Sequence, residues 1–416
     1  MKPALLFITA VLVALTAAAE ELPPVSLADL LREAAAKNPD AEAARLRWEA
    51  SRLAVPAAKA WDDPMLTLQS MNATSSGMPA SQTGDFGYGL TQRIPFFGKK
   101  ALAATVAERE AARAYEDYAG KLLDVADAVK SACYDLYLAQ KTVALGRENQ
   151  RSLDQTARAA LARYAAGKAS QGDVLRAQIE TRKQAAELVT LERQRGDRVA
   201  TINRLLGRKP DALLGHVPDF EPRRVALDEA ALWGQALEHR PAIRAAKHGV
   251  GRGDAAIELA KKQRFPDIEV GVSVNQFSGD GNVRAANVQF GIPLPWWNRD
   301  KYDADIKREQ ANRSAAEQEL AGLRNATMEE IHHLVTEAEA ARRLIQFYRN
   351  GVLAQARLAV EASRAGYETG QTDFLSLLDS QRTLLNTHLD LHRALADHEK
   401  VLARIEQMIG QPLPKP

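Results

Sequence analysis

Histidines are the residues of this sequence whose types and spacing could do chemistry. His388 and His392 stand four residues apart in a helical pattern, and His332 and His333 are adjacent. Imidazoles four residues apart share one helix face, where they could hold a transition-metal ion. The competing interpretation is structural, because His388 and His398 fall on a coiled-coil seam, where polar residues set helix register. We favour the structural interpretation and expect no metal site.

Motifs for catalysis or cofactor binding are missing from the sequence. It has no phosphate-binding loop, no nucleophile elbow and no HExxH zinc motif. The single cysteine, Cys133, excludes an intramolecular disulfide and occupies a seam position, which favours a small core residue over a thiolate ligand. The 55 basic and 53 acidic residues nearly balance, which argues against a nucleic-acid partner. We therefore expect a protein that is not an enzyme and needs no cofactor.

The N-terminus has the pattern of an export signal. Lys2 precedes an apolar run over 4–15, and small residues follow up to Ala19. This pattern predicts a signal peptide over 1–19 that is cleaved before Glu20. The alternative is a membrane anchor, which needs about 20 apolar residues, more than this run provides. No cysteine stands directly after the expected cleavage site, so we expect no lipid anchor there.

The rest of the chain repeats itself at an interval of about 200 residues. The matching landmarks are Asn38-Pro39 with Arg240-Pro241, Pro64 with Pro266, Phe96-Phe97 with Trp296-Trp297, Gly167 with Gly370, and Gly207 with Gly410. So long an interval indicates a doubled domain rather than a solenoid. The first repeat covers 20–207, with a helix, a β-hairpin over 64–94 and a helical hairpin over 98–206. The second covers 227–410, with a helix, a β-hairpin over 266–294 and a helical hairpin over 298–409. A proline-rich linker over 208–226 joins them, and 411–416 form a tail.

Two strands are predicted in each repeat, over 65–69, 86–94, 268–275 and 288–292. Large apolar residues alternate there with glycine and small polar residues, so one face is apolar and the other polar. The stretches 71–85 and 276–287 are predicted to be exposed hairpin loops. In a bilayer such a sheet must close, and the smallest barrels have eight strands. Two or three copies would then have to share one barrel. The alternative is a small soluble sheet packed on helices.

Long helices follow each pair of strands. The stretches at about 100–166 and 299–368 lack proline, and their apolar residues recur at alternating intervals of four and three, as in a coiled coil. A helix of about 65 residues extends about 100 Å. Return helices are predicted over 171–206 and 374–409.

Four motifs together resemble a known family. They are RIPFFGKK at 93–100, PLPWWNR at 293–299, YAAGKASQGDVLRAQ at 164–178 and YETGQTDFLSLLDSQ at 367–381. They resemble TolC-type outer-membrane efflux proteins over essentially the whole mature chain. The aromatic motifs are most similar to those of the outer-membrane subunits of cobalt–zinc–cadmium-class heavy-metal pumps. Some relatives carry a lipidated N-terminal cysteine, which this chain lacks.

The resemblance implies a mainly α protein with membrane β-structure. Each protomer of a homotrimer would give four strands to a shared 12-stranded β-barrel in the outer membrane, in contact with its lipid. The long coiled-coil helices would continue into the periplasm as an α-barrel tunnel. The implied partners are a periplasmic adaptor and an inner-membrane transporter of the resistance–nodulation–division type. The implied function is a passive exit duct for heavy-metal cations. A duct for drugs, other small organic molecules or secreted protein is an alternative, and a soluble periplasmic coiled-coil scaffold is another.

Two sets of residues are the expected functional sites. The helix-hairpin tips, which the resemblance places against the adaptor, comprise Tyr164, Gly167, Lys168, Ala169, Ser170, Asp173, Tyr367, Gly370, Gln371, Thr372 and Asp373. Glycine allows a left-handed exit from each long helix, and Ser170, with Thr372 or Asp373, can cap the return helices.

The strand-to-helix junctions comprise Pro95, Phe96, Phe97, Gly98, Lys99, Pro295, Trp296, Trp297, Asn298 and Arg299. Their aromatics suit a membrane interface, although core packing is the alternative. We expect Gly98 or Asn298 to permit the bend, and Lys99 or Arg299 to face the headgroups.

Overall fold

The computed structural model describes residues 23–71, 85–277 and 282–414. The expected signal peptide over 1–19, residues 72–84 of the first hairpin loop, and the end of the tail lie outside these ranges.

Within the residues that the structure describes, the first half contains four helices and two strands, in the order helix, helix, strand, strand, long helix, return helix. Their bounds are α1 Leu27–Lys37, α2 Pro39–Lys59, β1 Met65–Met71, β2 Asp85–Ile94, α3 Lys99–Ala165 and α4 Gln171–Leu205. The Ser26 side chain caps α1 by accepting a hydrogen bond from the N–H of Asp29. The Asn38 side chain accepts hydrogen bonds from the first turn of α2, and Pro39 occupies its first position. The Asn-Pro pair therefore ends one helix and starts the next.

The second half repeats this order. Its bounds are α5 Glu229–His239, α6 Pro241–Lys262, β3 Ile268–Phe277, β4 Val283–Gly291, α7 Arg299–Phe347, α8 Leu353–Thr369 and α9 Phe374–Ile409. The Asp228 side chain caps α5 by accepting a hydrogen bond from the N–H of Ala230. A π-helical turn, Tyr348–Val352, separates α7 from α8. The continuous helix predicted over 299–368 therefore contains a widened turn, which the proline-free sequence did not indicate.

The four strands form one antiparallel sheet in the order β1-β2-β3-β4. Directly paired residues share a face, so the pairing register shows the character of each face. One row across the sheet is Leu66, Leu90, Val272 and Val288, and the next row on the opposite face is Thr67, Gly89, Ser273 and Asn287. The apolar row is exposed in a single copy of the chain. The predicted division into an apolar and a polar face is thus present.

The second hairpin loop is shorter than predicted. The stretch 276–287 was expected to be a loop, but β3 continues to Phe277 and β4 begins at Val283. Residues 285 to 287 pair with 273 to 275, Val283 pairs with Gln276, and the register shifts between Asn275 and Gln276. Cross-strand pairing therefore extends the hairpin through residues that, apart from Phe277 and Val283, lack the large apolar side chains on which the prediction depended.

The helices of each half enclose a hydrophobic core. In the first half α1, α2, α3 and α4 bury a cluster that includes Leu136, Ile202 and Cys133. In the second half α5, α7 and α9 bury a cluster that includes Ile331, Leu402 and Ile405. Cys133 is buried among apolar side chains, as its seam position indicates. Among the described residues, no helix is both long enough and apolar enough to cross a membrane.

In both halves the end of the last helix packs against the end of the first helix in the same way. Gly207 and Gly410 follow the last helix of each half with φ of 67° and 77°. A Cβ on Gly207 would lie 2.9 Å from the carbonyl oxygen of Lys37, and one on Gly410 would lie 2.4 Å from that of His239. Both carbonyls belong to the end of the short first helix of the same half. Glycine is therefore needed here for the backbone angle and for the close approach.

Candidate functional site

The two helix-hairpin tips use the same backbone device. The N–H of Lys168 donates to the carbonyl of Arg163 at 2.8 Å, and the N–H of Gln371 donates to that of Gly366 at 2.7 Å. Gly167 and Gly370 adopt φ of 73° and 85°. Each long helix thus ends in a Schellman-type turn with a left-handed glycine, as the sequence indicates.

The return helices are capped by residues at equivalent positions. Ser170 Oγ accepts from the N–H of Asp173 at 3.1 Å, and the Asp173 carboxylate accepts from the N–H of Ser170 at 3.3 Å, which completes a capping box. In the second tip Asp373 Oδ1 accepts from the N–H of Ser376 at 2.9 Å. Of the two candidates in the second tip, the capping residue is Asp373 and not Thr372. The carboxylates also complement the positive end of each helix.

The matched tyrosines of the two tips have different environments. Tyr164 is 45% exposed, whereas Tyr367 is only 4% exposed. Tyr367 packs edge-on against Phe374, with ring centroids 5.7 Å apart. Burial and the nearby Asp173 raise the pKa of Tyr367, with Arg163 opposing. The first tip therefore presents a tyrosine outward, and the second uses its tyrosine to join the tips in one hydrophobic cluster.

Arg163 links the two tips. Its guanidinium lies 4.9 Å from the Tyr367 ring centroid, a cation–π distance. It also donates to the carbonyls of Glu368, in the second tip, and Lys168, in the first. The other predicted tip residues, Ala169 and Thr372, are half-buried, and Lys168 and Gln371 are exposed. The two tips of one chain therefore form a single unit.

The first junction is organised by a buried carboxylate, Asp267. Its Oδ1 accepts from Lys99 Nζ at 2.7 Å and from the N–H of Phe96 at 2.9 Å, and its Oδ2 accepts from Arg93 Nη2 at 2.7 Å. Gly98 allows the bend with φ of 85°. Phe97 is 91% exposed. Asp267 therefore fixes the end of β2, the turn and the start of α3 together.

Lys99 does not face outward as expected. It is 7% exposed, and its Nζ also donates to the carbonyl of Phe265 at 2.7 Å. The Phe96 ring stacks on Phe265 with centroids 4.6 Å apart. Because a buried ammonium needs a carboxylate or carbonyl partner, the acidic residue before β3 draws Lys99 inward. Phe96 thus packs against the protein, whereas Phe97 does not.

The second junction has a different backbone. Pro295–Asn298 form a single 3₁₀ turn, in which Pro295 is buried and Trp296 and Trp297 are 54% and 82% exposed. Asn298 has φ of −118°, so it does not bend the chain by a left-handed conformation. Arg299 is exposed. Three of the four junction aromatics, Phe97, Trp296 and Trp297, are therefore more than half exposed.

The linker over 208–226 contributes a charged cluster that sequence reasoning missed. Arg223 Nε donates to Glu399 Oε2 at 2.7 Å, and its Nη1 donates to Glu406 Oε1 at 2.8 Å. Lys130 also pairs with Glu406. Burial alone would raise the pKa of Glu406, but the hydrogen bonds and charges of Lys130 and Arg223 outweigh it and lower that pKa. The sequence contains a signal for this cluster. Glu399 and Glu406 lie seven residues apart on the buried face of α9, where carboxylates need cationic partners.

The histidines make contacts within the protein. His392 Nδ1 lies 2.9 Å from the hydroxyl of Tyr137, His332 contacts the Glu229 carboxylate, and buried His398 contacts Glu399. Within 23–71, 85–277 and 282–414, no group of three or more His, Cys, Asp or Glu side chains could hold a metal ion. These contacts account for His332, His392 and His398 structurally.

A duplicated helical chain with long hairpins and a sheet that is apolar on one face has the architecture of an outer-membrane channel protomer. The chain belongs to the outer membrane efflux protein family, whose sequence model matches residues 30–208 and 232–411. The two matched stretches correspond to the two halves of the fold. Proteins of this family are channels of the outer membrane rather than enzymes.

Named relatives and a solved structure agree with this assignment. The cobalt-zinc-cadmium resistance protein CzcC of Cupriavidus metallidurans is 26% identical over 76% of this chain and 75% of its own. Nodulation protein T of Rhizobium leguminosarum bv. trifolii is 27% identical over 75% of this chain and 68% of its own. The crystal structure of the outer membrane protein VceC of Vibrio cholerae superimposes with a TM-score of 0.77 at 18% identity, over 93% of this chain and 97% of VceC. VceC thus shares the fold.

Proposed function

We propose that this protein is the outer-membrane exit duct of a tripartite pump that exports heavy-metal cations. It acts as a passive conduit that opens when a periplasmic adaptor and an inner-membrane resistance–nodulation–division transporter engage it. The observation that carries the proposal is the four-stranded sheet, which is apolar on one face and small and polar on the other.

The sheet of one chain is incomplete for a bilayer. Among the described residues, the edge strands β1 and β4 each have one neighbouring strand. An edge in hydrocarbon leaves backbone groups unpaired, at several kcal/mol each, so β4 of one copy must pair with β1 of another. Three copies give 12 strands, with the row of Leu66, Leu90, Val272 and Val288 toward lipid and the polar row toward the lumen.

The tips are proposed as the adaptor-docking end. They lie at the far end of α3 from the junction, about 100 Å away at 1.5 Å per residue. Tyr164, Lys168 and Gln371 are exposed there. Since Arg163 and Tyr367 hold the two tips together, an adaptor meets a preformed surface.

The heavy-metal cargo rests on the likeness to CzcC, whose name includes cobalt, zinc and cadmium resistance. Nodulation protein T is equally similar, so sequence identity alone does not distinguish a heavy-metal cargo from another cargo. A duct gains from weak contact with its cargo, because a tight site would slow release.

Metal tolerance tests the cargo. A strain lacking this protein is grown in graded zinc, cobalt, cadmium, copper and silver, and complemented with the wild-type gene. We expect a several-fold lower inhibitory concentration for at least one metal, restored by complementation. Unchanged tolerance to all five metals, with increased sensitivity to drugs or other organic compounds, would show that the cargo is organic and not a metal cation.

The oligomer is tested separately. Membrane fractions are extracted with detergent and analysed by native mass spectrometry. A trimer recovered from the outer membrane supports the duct. A chain released without detergent as a monomer would support a soluble periplasmic scaffold.

A further inference from the structure

A cavity of about 580 Å³ lies where the end of the linker crosses the helical bundle. The linker provides Arg223 and Arg224, α7 provides Arg342, the π turn provides Arg349, and α9 provides His398. Every charged side chain that lines it is an arginine, since its remaining lining residues are Pro222, Val225, Ala226, Ile345, Gln346 and Asn350. Cavities of roughly 300–1,000 Å³ accommodate small molecules.

Two of the four arginines already have carboxylate partners. Arg223 is bound by Glu399 and Glu406, and with Lys130 this cluster has equal numbers of positive and negative charges. Arg349 Nη1 lies 2.8 Å from Glu221 Oε2. Arg223 and Arg349 are therefore held in place with their charges compensated.

The other two arginines are uncompensated. Within the part of the chain that the structure describes, Arg224 and Arg342 form no hydrogen bond or ion pair. They face one cavity from two separate elements, the linker and α7. Their guanidinium groups add two positive charges, and no carboxylate among the described residues pairs with them.

Two further features are typical of a binding site. The ring of His398 is 4% exposed and lines the cavity, and its Nδ1 contacts Glu399. The wall includes Arg349 and Asn350 of the π turn, and π turns often occur at functional sites. A buried ring, an irregular helical turn and two unpaired guanidinium groups converge on the same volume.

We propose that this cavity binds a small, soluble, phosphate-class oxyanion with about two negative charges. Guanidinium groups bind phosphate oxygens through paired, charge-assisted hydrogen bonds, and two of them match a dianion. A lipid headgroup does not supply this anion, because the cavity lies far from the proposed membrane region. Arg349 lies 50 residues beyond Arg299 along a helical path, about 75 Å from the membrane junction.

Binding is measured on the intact detergent-solubilised assembly by isothermal titration calorimetry. The probes are inorganic phosphate and pyrophosphate, with ionic strength held constant by sodium chloride. Wild type is compared with R224Q/R342Q and with the control R343Q. Arg343 neighbours Arg342 on the same helix but does not line the cavity, and it pairs with Glu339.

We expect saturable binding by wild type, at least tenfold weaker binding by R224Q/R342Q, and unchanged binding by R343Q. If the double variant does not assemble, the single variants R224Q and R342Q must each weaken binding. Absence of saturable binding to either probe, or equal affinity in all variants, overturns the proposal. Saturable binding of an acidic poly-glutamate peptide with no binding of either probe also overturns it, and assigns the surface to an acidic protein segment.

Discussion

Asp267 holds three parts of the first strand-to-helix junction together. It joins Arg93 at the end of β2, Lys99 at the start of α3 and the backbone of Phe96 between them. The side chains of Lys99 and Asp267 are 8% and 7% exposed. Removing one partner of a buried ion pair leaves the other charge unpaired, which costs about 3–5 kcal/mol.

The substitution Asp267→Ala should therefore impair assembly. We expect a lower yield of folded trimer in the outer membrane, measured by native electrophoresis of membrane extracts. Asp62→Ala is the matched control, because Asp62 pairs with the more exposed Lys100 at 3.0 Å and such pairs contribute less than about 1 kcal/mol. Equal yields for the two variants would show that Asp267 does not organise the junction.

His392 gives the helical region a dependence on pH. Burial and the charge of Lys141 lower its pKa to about 4, with His388 acting in the same direction and Asp219 opposing. The unfolded value is about 6.5, so the unfolded chain takes up the proton first as pH falls. Stability is therefore unaffected by this group above pH 6.5 and decreases as pH falls from 6.5 toward 4.

The substitution His392→Gln should reduce that dependence. Glutamine can still bond to Tyr137 but does not titrate. We expect the melting temperature of the variant to fall less than that of wild type between pH 6.5 and 4.5, measured by circular dichroism. Identical slopes for wild type and His392→Gln would contradict the role of His392.

At the scale of elements, left-handed glycines determine how the helices of each half meet. Gly410 lets the end of α9 approach the end of α5, as Gly207 does for α4 and α1. In Gly410→Ala, a left-handed alanine costs about 1–2 kcal/mol, and its Cβ would lie 2.4 Å from the His239 carbonyl oxygen.

We expect Gly410→Ala to lower the melting temperature of the purified protein by several degrees. Gly322→Ala is its control, because Gly322 lies inside α7 with open space around a Cβ. Alanine is the better helix former by up to about 1 kcal/mol, so this control should be neutral or stabilising. A Gly410→Ala protein as stable as the Gly322→Ala protein would be inconsistent with the close approach.

Local patterns in the sequence were enough to predict most elements. Alternation predicted the faces of the sheet, and Gly167, Gly370, Ser170 and Asp373 carry the turn and cap chemistry in their own residue types. Contacts between distant segments were not predictable. Lys99 is buried only because Asp267, 168 residues away, lies beside it. The π turn at 348–352 contains no proline, and the Asn350-Gly351 dipeptide inside it was not used as a signal.

At the scale of the whole molecule, the exposed aromatics define where the membrane should end. Trp296 and Trp297 are largely exposed beside β4, as is Phe97 beside β2. Trp prefers the headgroup level of a bilayer, so these side chains should hold the sheet at a fixed depth.

Replacing Trp296 and Trp297 together by Ala should impair insertion before it affects transport. We expect less trimer in the outer membrane, with normal export for each trimer that forms, measured by quantitative blotting and metal efflux in the same cells. Leu213→Ala, at an exposed apolar residue of the linker, should leave the yield unchanged. Normal trimer yield in the double variant would contradict the interface assignment.

The two tips of one chain are similar in backbone but not in surface. Tyr164 is presented outward and Tyr367 is turned inward, and only the second long helix contains a π turn. A trimer would therefore end in six tips that alternate between two kinds around the ring. Any partner that surrounds this end with six identical subunits must bind in two inequivalent poses, so its affinity should divide into two classes of three sites.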